Sequence, residues 1–257
     1  MKNIVAGLAG LILGQTAHAA VFAHYSFDSG FTDSSGNGRD GTLVDVGTTG
    51  NSAITSTAGD YAFGGGAMSF SSDRDYVDIP MATFSSGTPY TIAFWARKAA
   101  GDSGQSADFD MVIGDRSNSN FFIALNDVTG TGMRWRSSSS AAERQADFGV
   151  AKDYEWHHYA IVASGTTISL YYDGAFFGSD SGNQTGFQFN TIGEAYLGTS
   201  DFDFHGEIDE VWVFDEALGG TELSNLRDFN STVPEPAAAV LSAIGVISLL
   251  RRRRGSN

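Results

Sequence analysis

The chain has 257 residues, with 30 Asp and Glu against 15 Lys and Arg, a formal net charge of −15. A domain of that sign repels phosphate backbones and anionic lipid instead of neutralising them, which argues against nucleic acid as a partner of the folded part. No cysteine is present, so disulfides and thiol chemistry are excluded and stability has to come from a buried core. The surplus carboxylates are compatible with plain solubility or with divalent cation sites.

At the N-terminus Lys2 precedes an apolar run from Ile4 to Leu13, followed by Gln15, Thr16 and the small-x-small triplet Ala17-His18-Ala19. That order reads as a secretory signal peptide over residues 1–19, cleaved after Ala19. The run is too short for a permanent anchor, since a bilayer core of about 30 Å takes about 20 helical residues.

Residues 20–232 are one domain's worth of chain, rich in Gly, Ser, Thr and aromatic residues and nearly without helical periodicity. Short apolar or alternating runs predict strands at Val21–Phe27, Ala67–Phe70, Tyr76–Ile79, Tyr90–Arg97, Met111–Gly114, Phe121–Asn126 and Met133–Ser137. More are predicted at Trp156–Ala163, Thr167–Tyr172, Ala195–Gly198 and Glu207–Phe214, all separated by Gly, Asn, Asp and Ser clusters. Asp173-Gly174 between two aromatic runs is a hairpin signal, because both central residues of a type I′ turn need positive φ. Thr221–Phe229 predicts a short terminal helix with Thr221 as its N-cap.

Beyond it, Val233, Pro234, Glu235 and Pro236 lead into an apolar segment over residues 237–250 and then Arg251, Arg252, Arg253 and Arg254. The prolines stop what precedes them and start the next helix, and the arginines stay cytoplasmic. About 14 residues rising 1.5 Å each reach only about 21 Å, a poor fit to a bilayer. This tail, residues 233–257, resembles the PEP-CTERM sorting signals of Gram-negative bacteria. The resemblance implies processing near Pro234–Pro236 by an exosortase-type membrane protease, transient inner-membrane anchoring through the short transmembrane helix, and delivery to the cell surface or extracellular matrix.

Between the two tails the order of segments resembles the laminin G-like, concanavalin A-type jelly-roll family. The matching stretches are His24-Tyr25-Ser26-Phe27-Asp28, Asp33 to Gly38 with Gly41-Thr42-Leu43, Gly66 to Phe70, Tyr76 to Pro80, Tyr90 to Trp95, Trp156-His157-His158, Leu170 to Gly174, and Gly206 to Val211 with Ala217-Leu218. They imply an all-β fold, a two-sheet antiparallel jelly-roll sandwich, with ligand loops at one rim. Such folds host lectins, adhesion modules and glycosidases alike, so function has to be argued from residues.

Glycosidases of this sandwich carry acids at i, i+2 and i+4 of one strand, all on one face of the sugar cleft. The nearest match, Glu207-Ile208-Asp209-Glu210-Val211, puts Glu207 and Asp209 on one face, Glu210 on the other, and Val211 where the third acid belongs. His157 and His158 are adjacent on a strand and point to opposite faces, one to the core and one to the surface. No Gly-x-Ser-x-Gly elbow occurs, and Gly64-Gly65-Gly66 lacks the lysine of a phosphate loop. Trp95, Trp135, Trp156 and Trp212 suit sugar stacking, but aromatic residues on strands more often fill the core. The reading is a non-enzymatic module that binds carbohydrate or another extracellular polymer; the other classes left open are a matrix component without a specific ligand and a glycosidase-like enzyme.

The family resemblance also implies a structural calcium ion tying the early Gly/Asp-rich loop to the last strand, with Asp28, Asn37 and Asp209 as ligands. Carboxylates, Asn side chains and loop carbonyls are the oxygens Ca²⁺ takes, although Asp33, Asn37 and the glycines equally suit tight turns. The two tails generate a direct expectation: the mature protein lacks both termini, and neutralising Arg251 to Arg254 disrupts its retention and processing. Intact mass spectrometry of the cell-associated or secreted protein checks it, and a mass that includes Leu250 and the arginines would overturn it.

Overall fold

Alternation of buried and exposed residues runs through most of the chain, as in Met133-Arg134-Trp135-Arg136-Ser137, where positions one, three and five are buried. The computed structural model describes residues 19–46, 52–70, 74–99, 109–126, 132–137, 145–150, 153–195 and 202–230. Residues 1–18, the Pro234–Pro236 motif, the 237–250 segment and the four arginines lie outside the described residues. No helix among the described residues is long and apolar enough to cross a membrane.

The strands are β1 (Val21–Tyr25), β2 (Thr42–Val44), β3 (Ala53–Thr55), β4 (Ala67–Phe70), β5 (Tyr76–Phe84), β6 (Gly87–Lys98), β7 (Phe109–Gly114) and β8 (Phe121–Asn126). They continue with β9 (Met133–Ser137), β10 (Gln145–Phe148), β11 (His157–Gly165), β12 (Thr167–Tyr172), β13 (Ala175–Ser181), β14 (Phe187–Ile192) and β15 (Gly206–Phe214), followed by helix α1 (Gly220–Phe229). One sheet runs β13-β12-β11-β6-β15-β4-β3 with β1 also on β15, and the other runs β10-β9-β8-β7-β14-β5-β2. Every ladder between named strands is antiparallel, so this is the expected two-sheet jelly-roll sandwich.

Ile92, Phe94, Ile161 and Leu170 from the first sheet face Ile123, Trp135, Phe187 and Phe189 from the second. At the centre of this core the buried Trp135 Nε1 donates to Tyr90 Oη at 3.0 Å. Burial raises the Tyr90 hydroxyl well above its ordinary range, so it stays protonated.

The outer face of the first sheet is also covered. Leu218, Leu223 and Leu226 around helix α1 pack on Ala93, Ala160 and Phe214, together with Ala19. Nearby, Ala20 N donates to Glu216 Oε1 at 2.7 Å. The helix begins one residue earlier than expected, and Gly219, not Thr221, is its N-cap. Glu222 accepts from the Gly219 amide at 2.8 Å, the reach-back bond of a capping box that sets the helix start at Gly219. The Asp173-Gly174 turn forms as expected, with φ of 48° and 75°. The strand expected at Ala195–Gly198 lies, past Ala195, outside the described residues.

Because Tyr90 Oη is the acceptor for a fully buried indole N–H, Tyr90→Phe leaves that donor without a partner. The expected loss is about 1–3 kcal/mol, seen as a lower urea midpoint at unchanged slope. An unchanged midpoint would show that the bond contributes nothing net.

Candidate functional site

Strand β15 changes neighbours halfway. On the side away from β6 it pairs with β4 through Gly206–Ile208 and with β1 through Val211–Phe214. Asp209 and Glu210 fall in the gap, where the register against β6 also shifts and Glu210 takes φ 50°. This bulge corrects the simple alternation expected from sequence. Ile208 and Val211 both enter the core, three positions apart, so Asp209 and Glu210 both leave by the outer face.

Each of these acids is held. Asp209 Oδ2 accepts from Ala62 N at 2.8 Å and Phe63 N at 3.0 Å. Its Oδ1 is buried without a partner among the described residues. Burial pushes the Asp209 carboxyl up to about 7, with Glu210 adding to the effect and the two amides opposing it. Glu210 Oε2 shares a 2.5 Å hydrogen bond with His24 Nε2, and the His24 ring stacks on Trp212 at 3.5 Å. Glu207 accepts from Arg97 Nε at 3.0 Å.

Asp28 stands where the chain leaves β1 and accepts from Gly65 N at 2.5 Å. Gly64, at φ 63°, leaves room for it, since a Cβ there would collide with the Asp28 carboxylate. Asp28 and Asp209 therefore grip the two ends of one segment, Ala62–Gly65. Asn37 does not join them. Its Nδ2 donates to Val21 O at 2.7 Å and Phe22 O at 3.3 Å, at the opposite end of β1. The loop around it is organised by Asp33, which accepts from His24 N, Ser35 N and Ser35 Oγ on one oxygen and from Arg39 N on the other. Those hydrogen bonds outweigh burial and hold the Asp33 carboxyl below its ordinary range. Among the described residues no three His, Cys, Asp or Glu side chains converge as metal ligands, so an ion beside Asp28 and Asp209 would have to draw on backbone carbonyls.

The same loop reaches the rim of the sandwich. Arg97 donates to Gly59 O at 3.0 Å and to Asp60 Oδ1 at 2.7 Å, and Trp156 Nε1 donates to Gly59 O at 3.2 Å. Alongside, His157 stacks on Tyr172 at 4.7 Å, with Asp173 at 2.8 Å on one ring nitrogen and Asp153 at 3.0 Å on the other. Burial lowers the His157 pKa, but these two acids outweigh it and raise it above the ordinary 6.5. His158 points the other way and is buried, which pushes it down to about 4.

Tyr172 meets Phe177 at 6.1 Å, and Tyr171 meets Phe176 at 5.5 Å. Phe176 is 60% exposed, Phe177 45% and Tyr154 39%. Tyr154 holds φ 63°, a conformation that non-glycine residues adopt at a cost. Phe177, Tyr172 and His157 with its two carboxylates thus share one face at this edge of the sandwich, while Phe176 and Tyr171 lie on the other. Of the four tryptophans, Trp135 is core, and Trp95 and Trp212 are partly covered on the outer face. Trp156 alone reaches the rim.

The family model of the concanavalin A-like lectin/glucanases superfamily matches residues 70–224. Among solved structures, domain 4 of AbnA, a GH43 extracellular arabinanase from Geobacillus stearothermophilus in complex with arabinotriose, is 21% identical at a TM-score of 0.60, covering 82% of this chain and 100% of that one. The botulinum neurotoxin serotype G binding domain is 17% identical at a TM-score of 0.57, covering 80% of this chain and 50% of that one. A structure of botulinum neurotoxin type C, whose cell entry depends on interaction with two ganglioside molecules, is 14% identical at a TM-score of 0.60, covering 84% and 52%. No curated protein matches the chain.

Proposed function

Since this chain belongs to the concanavalin A-like lectin/glucanase superfamily, we propose that it is an exported binding module that holds an uncharged polysaccharide against its aromatic rim. The observation that carries this reading is the exposed Phe177 beside Tyr172, itself stacked on His157, on the edge strand β13. An exposed phenylalanine gathered with other rings into an apolar patch marks an interaction site. Sugar rings offer apolar faces to stack on and hydroxyls for Asp153 and Asp173. A net charge of −15 disfavours anionic polymers. Of two similar folds, an arabinanase domain is described in complex with arabinotriose, and a neurotoxin as depending on two ganglioside molecules.

Export by the N-terminal signal, and sorting to the surface or matrix by way of the Pro234–Pro236 tail and an exosortase-type protease, belong to the same reading. So does calcium. Asp28 and the unpartnered Oδ1 of Asp209 suit a cation, and an ion beside them would brace the loop that carries Gly59 and Asp60 to the rim. Asn37 is no part of that set.

On a glycan array the purified domain is expected to bind one class of neutral polysaccharide saturably. Phe177→Ala and Trp156→Ala should each weaken that binding about tenfold, equivalent to about 1.4 kcal/mol, without lowering the melting temperature. Silence across the array, or undiminished binding by both variants, would refute the reading. For calcium, millimolar Ca²⁺ should raise the melting temperature over EDTA, by about 2.7 kcal/mol of stability at a hundredfold excess over Kd. Asp209→Asn should erase the shift and Asn37→Ala should keep it; coincident wild-type melting curves would exclude the ion.

A further inference from the structure

At the other end of the sandwich lies a cavity of about 200 Å³. Its position is fixed by Thr185, whose hydroxyl accepts from Gly87 N at 3.0 Å and donates to Gly165 O at 2.7 Å. That clamp joins the start of β6, the end of β11 and the approach to β14. His157 begins β11, so the cavity is separated from the aromatic rim by the length of a nine-residue strand, roughly 25 Å.

The lining combines two kinds of surface. Phe121 and Phe187, with rings 6.3 Å apart at 67°, form an apolar wall, and Phe121 is only half-buried. Thr83, Ser86, Gln184 and Gln188 supply the polar part. Among the described residues no charged side chain lines it. The side-chain polar groups of Thr83, Ser86 and Gln184 make no hydrogen bond among the described residues. Gln188 is oriented from behind: its Nε2 donates to Asp115 Oδ2, while Asp115 Oδ1 accepts from Ser117 N at 2.8 Å and Ser117 Oγ at 2.5 Å. That hydrogen bond fixes the Gln188 amide and leaves its carbonyl oxygen and second N–H for a ligand. Asp115 is fully buried and is a positioning residue.

We infer that this cavity is a second binding site, a pocket for a single uncharged sugar ring at a chain end or branch. An aromatic wall with hydroxyl and amide groups able to donate and accept matches a neutral hexose or pentose. The volume lies below the ~300–1,000 Å³ that houses a drug-sized ligand, a size that suits a single ring. The inference rests on the carbohydrate reading above but not on the aromatic rim, and it makes the module two-ended.

The test titrates the ¹⁵N-labelled full chain with methyl glycosides of glucose, galactose, mannose and arabinose. Saturable amide shifts are expected at residues 83–86, 121 and 184–188. Gln188→Ala should weaken them at least tenfold. Ser86→Trp, at an exposed loop position that leaves the core untouched, should abolish them by filling the mouth. Phe177→Ala should leave them unchanged. Shifts confined to residues 153–177, wild-type affinity in Ser86→Trp, or no response to any glycoside in a domain that binds polysaccharide on the array would each overturn the pocket while leaving the rim reading intact. No response here together with a silent array would overturn both.

Discussion

Two strands, β1 and β4, share one side of β15, and the Asp209–Glu210 bulge is what makes room for both. A regular strand would have carried both acids alternately inward and outward, and one inward carboxylate in this aromatic core would have no water and no counter-charge. The bulge sends both outward, but not to solvent: Asp209 is fully covered and Glu210 nearly so. Their burial is tolerable because each satisfies something else that lacks a partner. Asp209 takes two loop amides, Glu210 takes a histidine, and the loop and the first strand are thereby tied to the last. Removing one partner of such a buried pair costs about 3–5 kcal/mol in general, which makes the break a point where sheet closure, loop placement and rim geometry are decided together.

Much of this was legible in the residues and some was not. The long strands show themselves because their alternation spans five or more positions. Thr42–Val44, Ala53–Thr55 and Gln145–Phe148 do not, because three or four residues carry too little of the period to stand out from turn-rich surroundings. Phe187–Ile192 alternates well but sits between Gly and Gln residues that read as loop. The family resemblance groups Asp28, Asn37 and Asp209 together as ligands of one calcium ion; two of them hold amides of a single loop, whereas the Asn37 amide caps carbonyls of β1, a difference that does not show in sequence. The bulge itself was invisible: nothing in Glu-Ile-Asp-Glu-Val announces that the period slips by one. The Phe176-Phe177 pair was in plain view next to a hairpin tip, but its exposure depends on β13 being an edge, which is a property of the whole sheet.

The loop from Thr57 to Gly65 is what connects the two ideas about the first rim. Its later half is gripped by Asp28 and Asp209, and its earlier half gives Gly59 and Asp60 to Arg97 and Trp156. Order at the carboxylates is thus order at the indole. The far cavity has no such dependence, being held by Thr185 and the buried Asp115 on the opposite side of the sandwich.

The hydrogen bond from Ala20 N to Glu216 Oε1 would take on a different meaning if the proposed cut after Ala19 is made. In the uncut chain the donor is an ordinary amide, and the bond is one neutral donor on a carboxylate. In a chain cut after Ala19 the same nitrogen is an α-ammonium with an ordinary pKa near 8, so the contact becomes an ion pair between the new terminus and the turn leading into α1. The cut also takes Ala19 out of the apolar cluster beneath the helix, exchanging a methyl group's packing for a charge. Maturation would then alter the clasp between the first and last elements of the domain, leaving a precursor and a product that share a fold but differ in how firmly its ends are closed.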